Sequence, residues 1–177
     1  MPNTPEPTSV QSSGNDFQPR IVAFFCNWCT YTAADLTGVT RAHYAPNVRI
    51  IRVMCSGRVD PQFVVAALRE GADGVLIGGC HPGDCHYIEG NYKALRRYEM
   101  LKRVLRSMGI EDKRVRLEWI SASEGEKVQR VINEMTEEIR QLGPLHLAPM
   151  PAPDWQGGVE TESGASTAMA ANEEGSS

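Results

Sequence analysis

The sequence predicts an α/β protein in which a small parallel sheet of about four strands carries helices on both faces. Three observations lead to this fold class. Short apolar runs alternate with longer segments of helical periodicity, and this alternation repeats four times. Two of the runs are apolar throughout, which is typical of parallel strands that are buried on both faces. The 177 residues are enough for one domain of this kind.

The first three elements follow in the order strand, helix, strand. Ile21–Phe25 is apolar and too short for a helix, so it suits a buried strand. Thr30–Tyr44 has helical character, and Val48–Met54 is rich in the β-branched residues that favour strands. We therefore expect a helical crossover between the first two strands.

Local signals mark the second helix and the third strand. Asp60 followed by Pro61 has the pattern of an N-cap and a first helical residue, and Gly71 is typical of a helix end. The run Gly74–Gly79 (GVLIGG) comes next and is again short and apolar. A helix between Asp60 and Gly71 therefore leads into a third, buried strand.

The last part of the domain repeats the same order. Asn91–Met108 predicts a long helix, and Val115–Ile120 predicts a fourth strand. Ser123 and Glu126 have the spacing of a capping box for a final helix, which Gly143 ends. The long helix is expected to bury one apolar stripe, formed by Tyr92, Leu95, Leu101, Val104, Leu105 and Met108.

Composition divides the chain into three parts. Residues 1–19 and 145–177 are rich in Pro, Ser and other small or polar residues, and they contain seven acidic but no basic residues. We expect both segments to be disordered tails. Residues 20–144 hold 18 basic and 15 acidic residues and are expected to form the one folded domain. An acidic chain with a mildly basic folded part does not suggest nucleic-acid binding.

The sequence shows neither a signal peptide nor a membrane helix. Its N-terminus lacks a basic region followed by an apolar one, and no apolar run reaches about 18 residues. We therefore expect a cytoplasmic protein without membrane contact. In the cytoplasm, five clustered cysteines indicate metal binding or redox chemistry rather than structural disulfides.

All five cysteines follow predicted strands. Cys26 and Cys29 form a C-x-x-C pair directly after the first strand. Cys55 follows the second strand, and Cys80 and Cys85 follow the third. Because the carboxyl ends of parallel strands share one edge of the sheet, where binding sites are commonly built, these groups are expected to converge there.

Convergent thiols suit several kinds of chemistry. An iron–sulfur cluster commonly takes four cysteine thiolates. Tetrahedral zinc accepts four cysteines as well, although structural zinc sites usually show two tight pairs. The C-x-x-C pair, placed between a strand and a helix, also resembles a metal-free dithiol of the thioredoxin type. Unrelated buried thiols are the fourth interpretation. No nucleotide- or phosphate-binding glycine motif is present, which favours electron relay over substrate chemistry.

Histidine, lysine and arginine residues lie close to the cysteines in the sequence. His81 and His86 each follow a cysteine directly, and they are either hydrogen-bonding neighbours of a cluster or ordinary loop residues. The helix after the cysteine loop carries six basic residues, which form either a solvated face or a docking face for an acidic partner. These residues are Lys93, Arg96, Arg97, Lys102, Arg103 and Arg106.

Three motifs together resemble the delta subunit of methyl-viologen-reducing hydrogenase. They are IVAFFCNWCTYTAADL, RVMCSGRVD and GVLIGGCHPGDCHYIEGNYKA. The resemblance covers about residues 20–143, and it is specific because the motifs are long and unusual. Members of this family are iron–sulfur subunits with a [2Fe–2S] cluster. They pass electrons from a hydrogenase or formate dehydrogenase to the flavin-containing A subunit of heterodisulfide reductase.

The resemblance also implies a ligand set and a setting. The cofactor and its iron would be bound at the family's cysteine positions, which are Cys26, Cys29, Cys55, Cys80 and Cys85 in this sequence. A [2Fe–2S] cluster needs four ligands, so one cysteine is spare. We expect Cys80 and Cys85 on one iron and two of the other three on the second. The setting is anaerobic metabolism such as methanogenesis, and work within a complex implies an exposed apolar patch near the cysteines.

Overall fold

A computed structural model describes residues 17–147, and these form four strands and four α-helices in strict alternation. The strands are β1 (Ile21–Cys26), β2 (Val48–Val53), β3 (Gly74–Gly79) and β4 (Val115–Trp119). The helices are α1 (Thr30–Val39), α2 (Pro61–Arg69), α3 (Gly90–Ser107) and α4 (Gly125–Leu142). Every strand begins and ends within one residue of the prediction, so the α/β class is confirmed.

All four strands run parallel, in the order β2-β1-β3-β4. The central strand β1 pairs with both β2 and β3, and Ile21 lies opposite Val48 on one side and Gly74 on the other. The chain therefore moves outwards from β1 to β2 and then returns past β1 to form β3. This reversal of direction opens a crevice at the carboxyl ends of β1 and β3, where open α/β sheets bind their ligands.

Helices cover both faces of the sheet, as predicted. Helices α1 and α4 pack over one face, where Phe25 and Ile132 belong to the buried core. Helices α2 and α3 cover the other face, where Phe24 and Leu101 belong to a second core. Phe24 and Phe25 point to opposite faces because successive residues of a strand alternate. The sheet is thus held from both sides and leaves its carboxyl edge for the cysteines.

Helix α1 is shorter than the sequence suggested. It ends at Val39 and not at Tyr44. Arg41 adopts a left-handed backbone conformation with φ of 55°, which a helix cannot continue through. The hydroxyl of Thr40 also bonds to the carbonyl oxygen of Leu36 at 3.1 Å and closes the last turn. Local hydrogen bonding therefore stops a segment whose composition would allow further turns.

The capping box expected at the start of α4 does not form. The first turn of this helix has no side-chain cap. Instead, the Glu124 carboxylate accepts a hydrogen bond of 2.7 Å from the main-chain N–H of Ser121. The expected capping residue, Ser123, has its hydroxyl 3.2 Å from that of Ser121. Glu124 thus closes the turn that precedes α4, and no side chain caps the first N–H groups of the helix.

The predicted apolar stripe of α3 is wrong for four of its six residues. Leu101 and Leu105 are buried as expected. The buried side chain of Asn91 donates to the carbonyl oxygens of Cys80 at 3.3 Å and His81 at 2.8 Å, and these bonds set the rotation of the helix about its axis. The remaining four residues of the stripe are consequently 36–52% exposed, namely Tyr92, Leu95, Val104 and Met108.

Residues just outside 20–144 add to the two cores. Phe17 packs against the core under α1 and α4, and Leu145 and Leu147 pack against the core under α2 and α3. The rest of both predicted tails, residues 1–16 and 148–177, lies outside the described residues. Among the helices that the structure describes, none has the length and apolar character needed to cross a membrane.

Candidate metal centre

The carboxyl edge of the sheet gathers all five cysteines into one cluster. Cys26 is the last residue of β1, and Cys29 is the N-cap of α1. Cys55 lies two residues beyond β2, Cys80 directly follows β3, and Cys85 lies in the loop that leads to α3. Each of the five is at most 9% exposed. The convergence expected from the strand order is therefore confirmed.

Three of the five sulfur atoms form a compact group. The Sγ atoms of Cys26 and Cys80 are 3.8 Å apart, and the Sγ of Cys29 lies within 4.8 Å of both. A tetrahedral metal ion with metal–sulfur distances of about 2.3 Å separates its sulfur ligands by about 3.8 Å. The spacing of these sulfurs is close to that of ligands around one metal ion. All five thiols are free.

The other two sulfurs meet at Gly90, the first residue of α3. A Cβ atom at Gly90 would overlap the Sγ of Cys55 and would lie 3.1 Å from the Sγ of Cys85. Gly57 is packed just as tightly, because its Cβ would lie 2.7 Å from the carbonyl oxygen of Gly90. The N–H of Gly57 also donates to the Cys55 sulfur at 3.4 Å. Glycine at both positions thus allows α3 to approach the sulfurs.

The donor set fits an iron–sulfur cluster. It consists of sulfur alone, and soft thiolates favour iron–sulfur clusters or zinc over hard cations. Five thiols exceed the four that either centre commonly needs. In this structure the Cys80 sulfur lies with those of Cys26 and Cys29, while Cys85 lies with Cys55. The assignment of Cys80 and Cys85 to one iron stays a prediction.

Besides the N–H of Gly57 at the Cys55 sulfur, main-chain N–H groups point at two further sulfurs. Those of Trp28 and Ser56 face the Sγ of Cys26. The N–H of His86 faces the Sγ of Cys80. Donors of this kind stabilise negative charge on sulfur, whether the sulfur is a free thiolate or a metal ligand. The edge is therefore built to hold anionic sulfur.

These contacts leave one thiol much more acidic than its neighbours. A hydrogen bond from the Cys29 thiol lowers the pKa of Cys26 to about 5, although burial opposes this. The same interaction raises the pKa of Cys29 well above its usual range. Burial raises the pKa of Cys80 to about 11 and also raises the pKa of Cys55. Because metals bind thiolates, Cys26 is ready to bind at neutral pH, whereas Cys29, Cys55 and Cys80 would release protons as a metal binds.

The loop between Cys85 and α3 contains a strained residue. Ile88 has a left-handed backbone conformation with φ of 66°, which is rare for a β-branched side chain. Its N–H donates to the carbonyl oxygen of Cys85 at 2.9 Å and closes a tight turn. Strain of this kind is concentrated at functional sites. No composition signal marks a strained isoleucine, so the place of Ile88 beside the cysteines could not be predicted from the sequence.

The two histidines occupy different environments. The Nε2 of His81 is 2.7 Å from a carboxylate oxygen of Glu124, so this pair ties the cysteine loop to the start of α4. Backbone hydrogen bonding by Ser121 and the contact with His81 lower the pKa of Glu124 to about 2. The ring of His86 stacks on Trp28 with 3.8 Å between centroids. The imidazoles thus contact a carboxylate and an indole, and the main chain of His86 faces a sulfur.

Exposed apolar side chains surround the cysteine cluster and form what we call the apolar rim: Trp28, Met54, Tyr87 and Ile88. The first three are 45–55% exposed, and Ile88 is 81% exposed. The indole N–H of Trp28 donates to the Tyr87 hydroxyl at 3.3 Å and joins two of them. Clefts of about 350 and 280 Å³ reach Cys55 on one side and Cys29 with Cys80 on the other. Apolar surface of this kind marks interaction sites, and it was expected here.

Half of the basic residues of α3 serve the fold. Arg97 donates to the carbonyl oxygen of Gly57. Lys102 donates to the carbonyl oxygen of Asp112 at 2.7 Å, and Arg106 pairs with the carboxylate of the same residue. These contacts hold α3 to the neighbouring loops. The Lys102 side chain is mostly buried in this contact, whereas the Arg106 side chain is 61% exposed and its ion pair lies on a solvated face.

Fold and site together define a small α/β protein whose parallel sheet presents buried thiols for a soft metal centre. Its family is that of the methyl-viologen-reducing hydrogenase delta subunit. The model of this family matches residues 21–143, and the chain belongs to the family. The resemblance seen in the three motifs is therefore confirmed.

The relatives fall into two groups. The iron-sulfur subunit of the F420-non-reducing hydrogenase of Archaeoglobus profundus is 59% identical over 130 residues, which are 73% of this chain and 95% of that protein. The vhc iron-sulfur subunit of the F420-non-reducing hydrogenase of Methanococcus voltae is 58% identical over 132 residues, which are 75% of this chain and 92% of that protein. The A subunit of the Ferredoxin/F(420)H(2)-dependent CoB-CoM heterodisulfide reductase of Methanosarcina acetivorans is 53% identical over 127 residues, which are 72% of this chain but 16% of that longer protein. Similar sequences thus occur both as separate subunits and as parts of a larger one.

Proposed function

We propose that this chain is a cytoplasmic electron-transfer subunit that binds a [2Fe–2S] cluster through four of its five cysteines. It receives electrons from a hydrogenase or a formate dehydrogenase. It delivers them to a flavoprotein like the A subunit of heterodisulfide reductase. When bound, the cluster supplies one-electron redox chemistry. The chain catalyses no reaction of its own on a substrate.

One observation carries this proposal. Three loops that are far apart in sequence bring five buried thiols to the point at which the strand order reverses. Buried thiols at a ligand-binding position, with sulfurs at metal-ligand spacing, are what a cluster with four thiolate ligands requires. Two relatives that align with this chain over more than nine-tenths of their own length are named iron-sulfur subunits.

The residues around the sulfurs would bind and tune such a centre. Burial keeps water away from the thiolates, and this influences the potential of a bound cluster. The N–H groups of Trp28, Ser56 and His86 stabilise negative charge on sulfur, which increases when an electron is added. Gly90 and Gly57 keep α3 close enough to cover Cys55 and Cys85.

The apolar rim supports a docking role for the same edge. Electrons have to leave through the surface nearest the cysteines, and Trp28, Met54, Tyr87 and Ile88 are exposed there. A partner that covers these side chains would remove apolar surface from water and bring its own redox centre close. The heterodisulfide reductase A subunit that contains a similar segment supports an acceptor of that type.

A metal-free thiol–disulfide module that uses Cys26 and Cys29 is the second candidate. The low pKa of Cys26 beside a weakly acidic Cys29 is typical of redox-active C-x-x-C pairs. However, Cys26 is 1% exposed, and a thiolate that exchanges disulfides has to reach its target. The Cys80 sulfur, 3.8 Å from Cys26, is also unexplained by a two-cysteine mechanism. Burial and this third sulfur favour the cluster.

Metal analysis of anaerobically purified full-length protein tests the proposal. We expect about two iron and two acid-labile sulfide per chain, with an EPR signal that appears on reduction by dithionite. Zinc in place of iron would favour a structural zinc site. Neither metal, after careful anaerobic reconstitution, would favour the dithiol module, and the potential of the Cys26–Cys29 pair would then be the quantity to measure.

A further inference from the structure

A buried hydroxyl lies against one of the five thiols. Thr30, the first residue of α1, is 0% exposed, and its Oγ1 is 3.5 Å from the Sγ of Cys29. A thiol and a hydroxyl can each donate a hydrogen bond. As a metal-bound thiolate, however, Cys29 has no proton to give, so the hydroxyl of Thr30 has to be the donor. A buried hydroxyl without a partner is costly, and the sulfur is therefore its acceptor.

Packing directs the hydroxyl towards the sulfur. A Cβ atom at Gly78 of β3 would lie 2.9 Å from the Cβ of Thr30 and would overlap its methyl group. The methyl group thus fills the space that a side chain at Gly78 would take. Because the side chain of threonine is stiff about its first torsion, this contact fixes the rotamer. With the methyl group held against the strand, the hydroxyl is left to face Cys29.

We propose that Thr30 is a positioning residue that raises the reduction potential of the bound cluster by donating a hydrogen bond to the Cys29 sulfur. The inference rests on the proposed function, because it requires Cys29 to be one of the four ligands. Adding an electron increases the negative charge on the ligand sulfurs. A hydrogen bond to sulfur therefore stabilises the reduced state more than the oxidised state.

Two substitutions of Thr30 separate the effect of its hydroxyl from the effect of its side-chain shape. Thr30→Val replaces the hydroxyl by a methyl group of similar size, and Thr30→Ser keeps the hydroxyl but loses the methyl group. The potentials of full-length wild type and variants are measured by redox titration with visible absorbance and EPR. For Thr30→Val, we expect the ratio of reduced to oxidised protein at the wild-type midpoint to fall by about threefold to tenfold, and tenfold is about 59 mV for one electron. Thr30→Ser is expected to return towards the wild-type value.

Thr37→Val is the matched control on the same helix. Thr37 is also 0% exposed, but its single hydroxyl proton is shared between the carbonyl oxygens of Ala33 at 2.8 Å and Gly125 at 2.9 Å, away from the cysteines. This variant is expected to unfold at a lower temperature and to keep the wild-type potential. Thr30→Ala, which also lacks the hydroxyl, replaces Thr30→Val if that variant does not fold.

The possible results distinguish a failure of the role proposed for Thr30 from a failure of the proposed electron-transfer function. Equal potentials for wild type and Thr30→Val, with the cluster present in both, would overturn the role of Thr30 and leave the electron-transfer function intact. An equal shift in Thr37→Val would also overturn it, because loosening α1 anywhere would then change the potential. Wild-type protein that takes up no iron or sulfide would refute the function itself, and the role of Thr30 with it.

Discussion

The amino ends of the strands form one edge of the sheet and the carboxyl ends form the other, and the two edges differ in what their buried charged groups and thiols contact. At the amino edge, the carboxylate of Asp73 is buried and accepts hydrogen bonds from the N–H of Arg20 at 2.8 Å and of Leu145 at 3.0 Å. Arg114 is 2% exposed and bonds to the Glu111 carboxylate at 2.6 Å and to the Asp73 carbonyl oxygen at 3.1 Å. These two buried charged groups find their partners within the chain, whereas the Oδ1 of Asn47, which precedes β2, has no hydrogen-bond partner among the described residues.

At the carboxyl edge the buried groups face one another. The thiols of Cys26 and Cys80 are neighbours, the hydroxyl of Ser56 has no hydrogen-bond partner among the described residues, and Ile88 is strained. Five buried thiols that face one another and a strained backbone lower stability, and such features persist where function requires them. The comparison indicates that the amino edge stabilises the fold and the carboxyl edge is arranged for a ligand.

The largest effect is expected from a substitution that removes one of the cysteine ligands at the carboxyl edge. In Cys80→Ser, and likewise in Cys85→Ser, we expect loss of nearly all visible absorbance and iron, because serine is a poor substitute for a thiolate on iron. Metal content and absorbance of anaerobically purified protein measure this. An intact visible spectrum in both variants would show that neither cysteine is a ligand.

A smaller effect is expected from closing the space beside the sulfurs. In Gly90→Ala the new Cβ would overlap the Cys55 sulfur, so we expect cluster occupancy to fall several-fold as α3 is pushed outwards. Iron per folded chain is the measurement. Gly38→Ala is the control, because a Cβ at Gly38 in α1 meets nothing within 4 Å. Equal occupancy in Gly90→Ala and wild type would mean that Cys55 and Cys85 do not depend on this close approach.

At the amino edge the effect should fall on stability alone. Asp73→Ala leaves the N–H groups of Arg20 and Leu145 without their acceptor, and we expect the free energy of unfolding to fall by about 2–4 kcal/mol. Denaturant unfolding measures the loss, and Asp35→Ala at an exposed position of α1 should change stability by less than about 0.5 kcal/mol. A changed visible spectrum or reduction potential in folded Asp73→Ala would show that the two edges are not independent.

The smallest effect concerns pH at the turn before α4. The pKa of Glu124 is about 2 in the folded protein, mainly because the Ser121 N–H bonds to its carboxylate, and this is below the usual value for glutamate. The ionised carboxylate therefore contributes stability above its unfolded pKa, and the contribution is lost as pH falls towards 2. We expect the difference in melting temperature between wild type and Glu124→Gln to shrink as pH falls from about 5 towards 2. A difference that does not change between pH 3 and pH 7 would show that the ionised carboxylate adds nothing.

The strands and the convergence of the cysteines could both be predicted from the sequence. Runs such as Gly74–Gly79 are apolar because both faces of the sheet are covered, and this leaves a direct signal in composition. Once the strands are known to be parallel, the position of Cys26 and Cys80 at one edge follows from chain direction alone. No knowledge of side-chain packing is needed for either inference.

Features that depend on contacts between distant residues could not be predicted in the same way. The rotation of α3 depends on Asn91 reaching the carbonyl oxygens that follow β3, so four apolar residues that fit the helical period became exposed. Residue 90 has to be glycine because the sulfurs of Cys55 and Cys85 lie against it. Cys55 is far from residue 90 in sequence, and Cys85 lies in an irregular loop, so the sequence gives no sign of either contact. The role proposed for Thr30 depends on Gly78 of another strand.

Native mass spectrometry of the anaerobically purified full-length chain tests the central claim most directly. We expect a mass equal to the polypeptide plus one [2Fe–2S] cluster, both in the wild type and in one of the five single cysteine-to-serine variants, since four cysteines bind and one is spare. A wild-type mass that contains one zinc ion, or that corresponds to the bare chain less the two hydrogens of a Cys26–Cys29 disulfide, would contradict it.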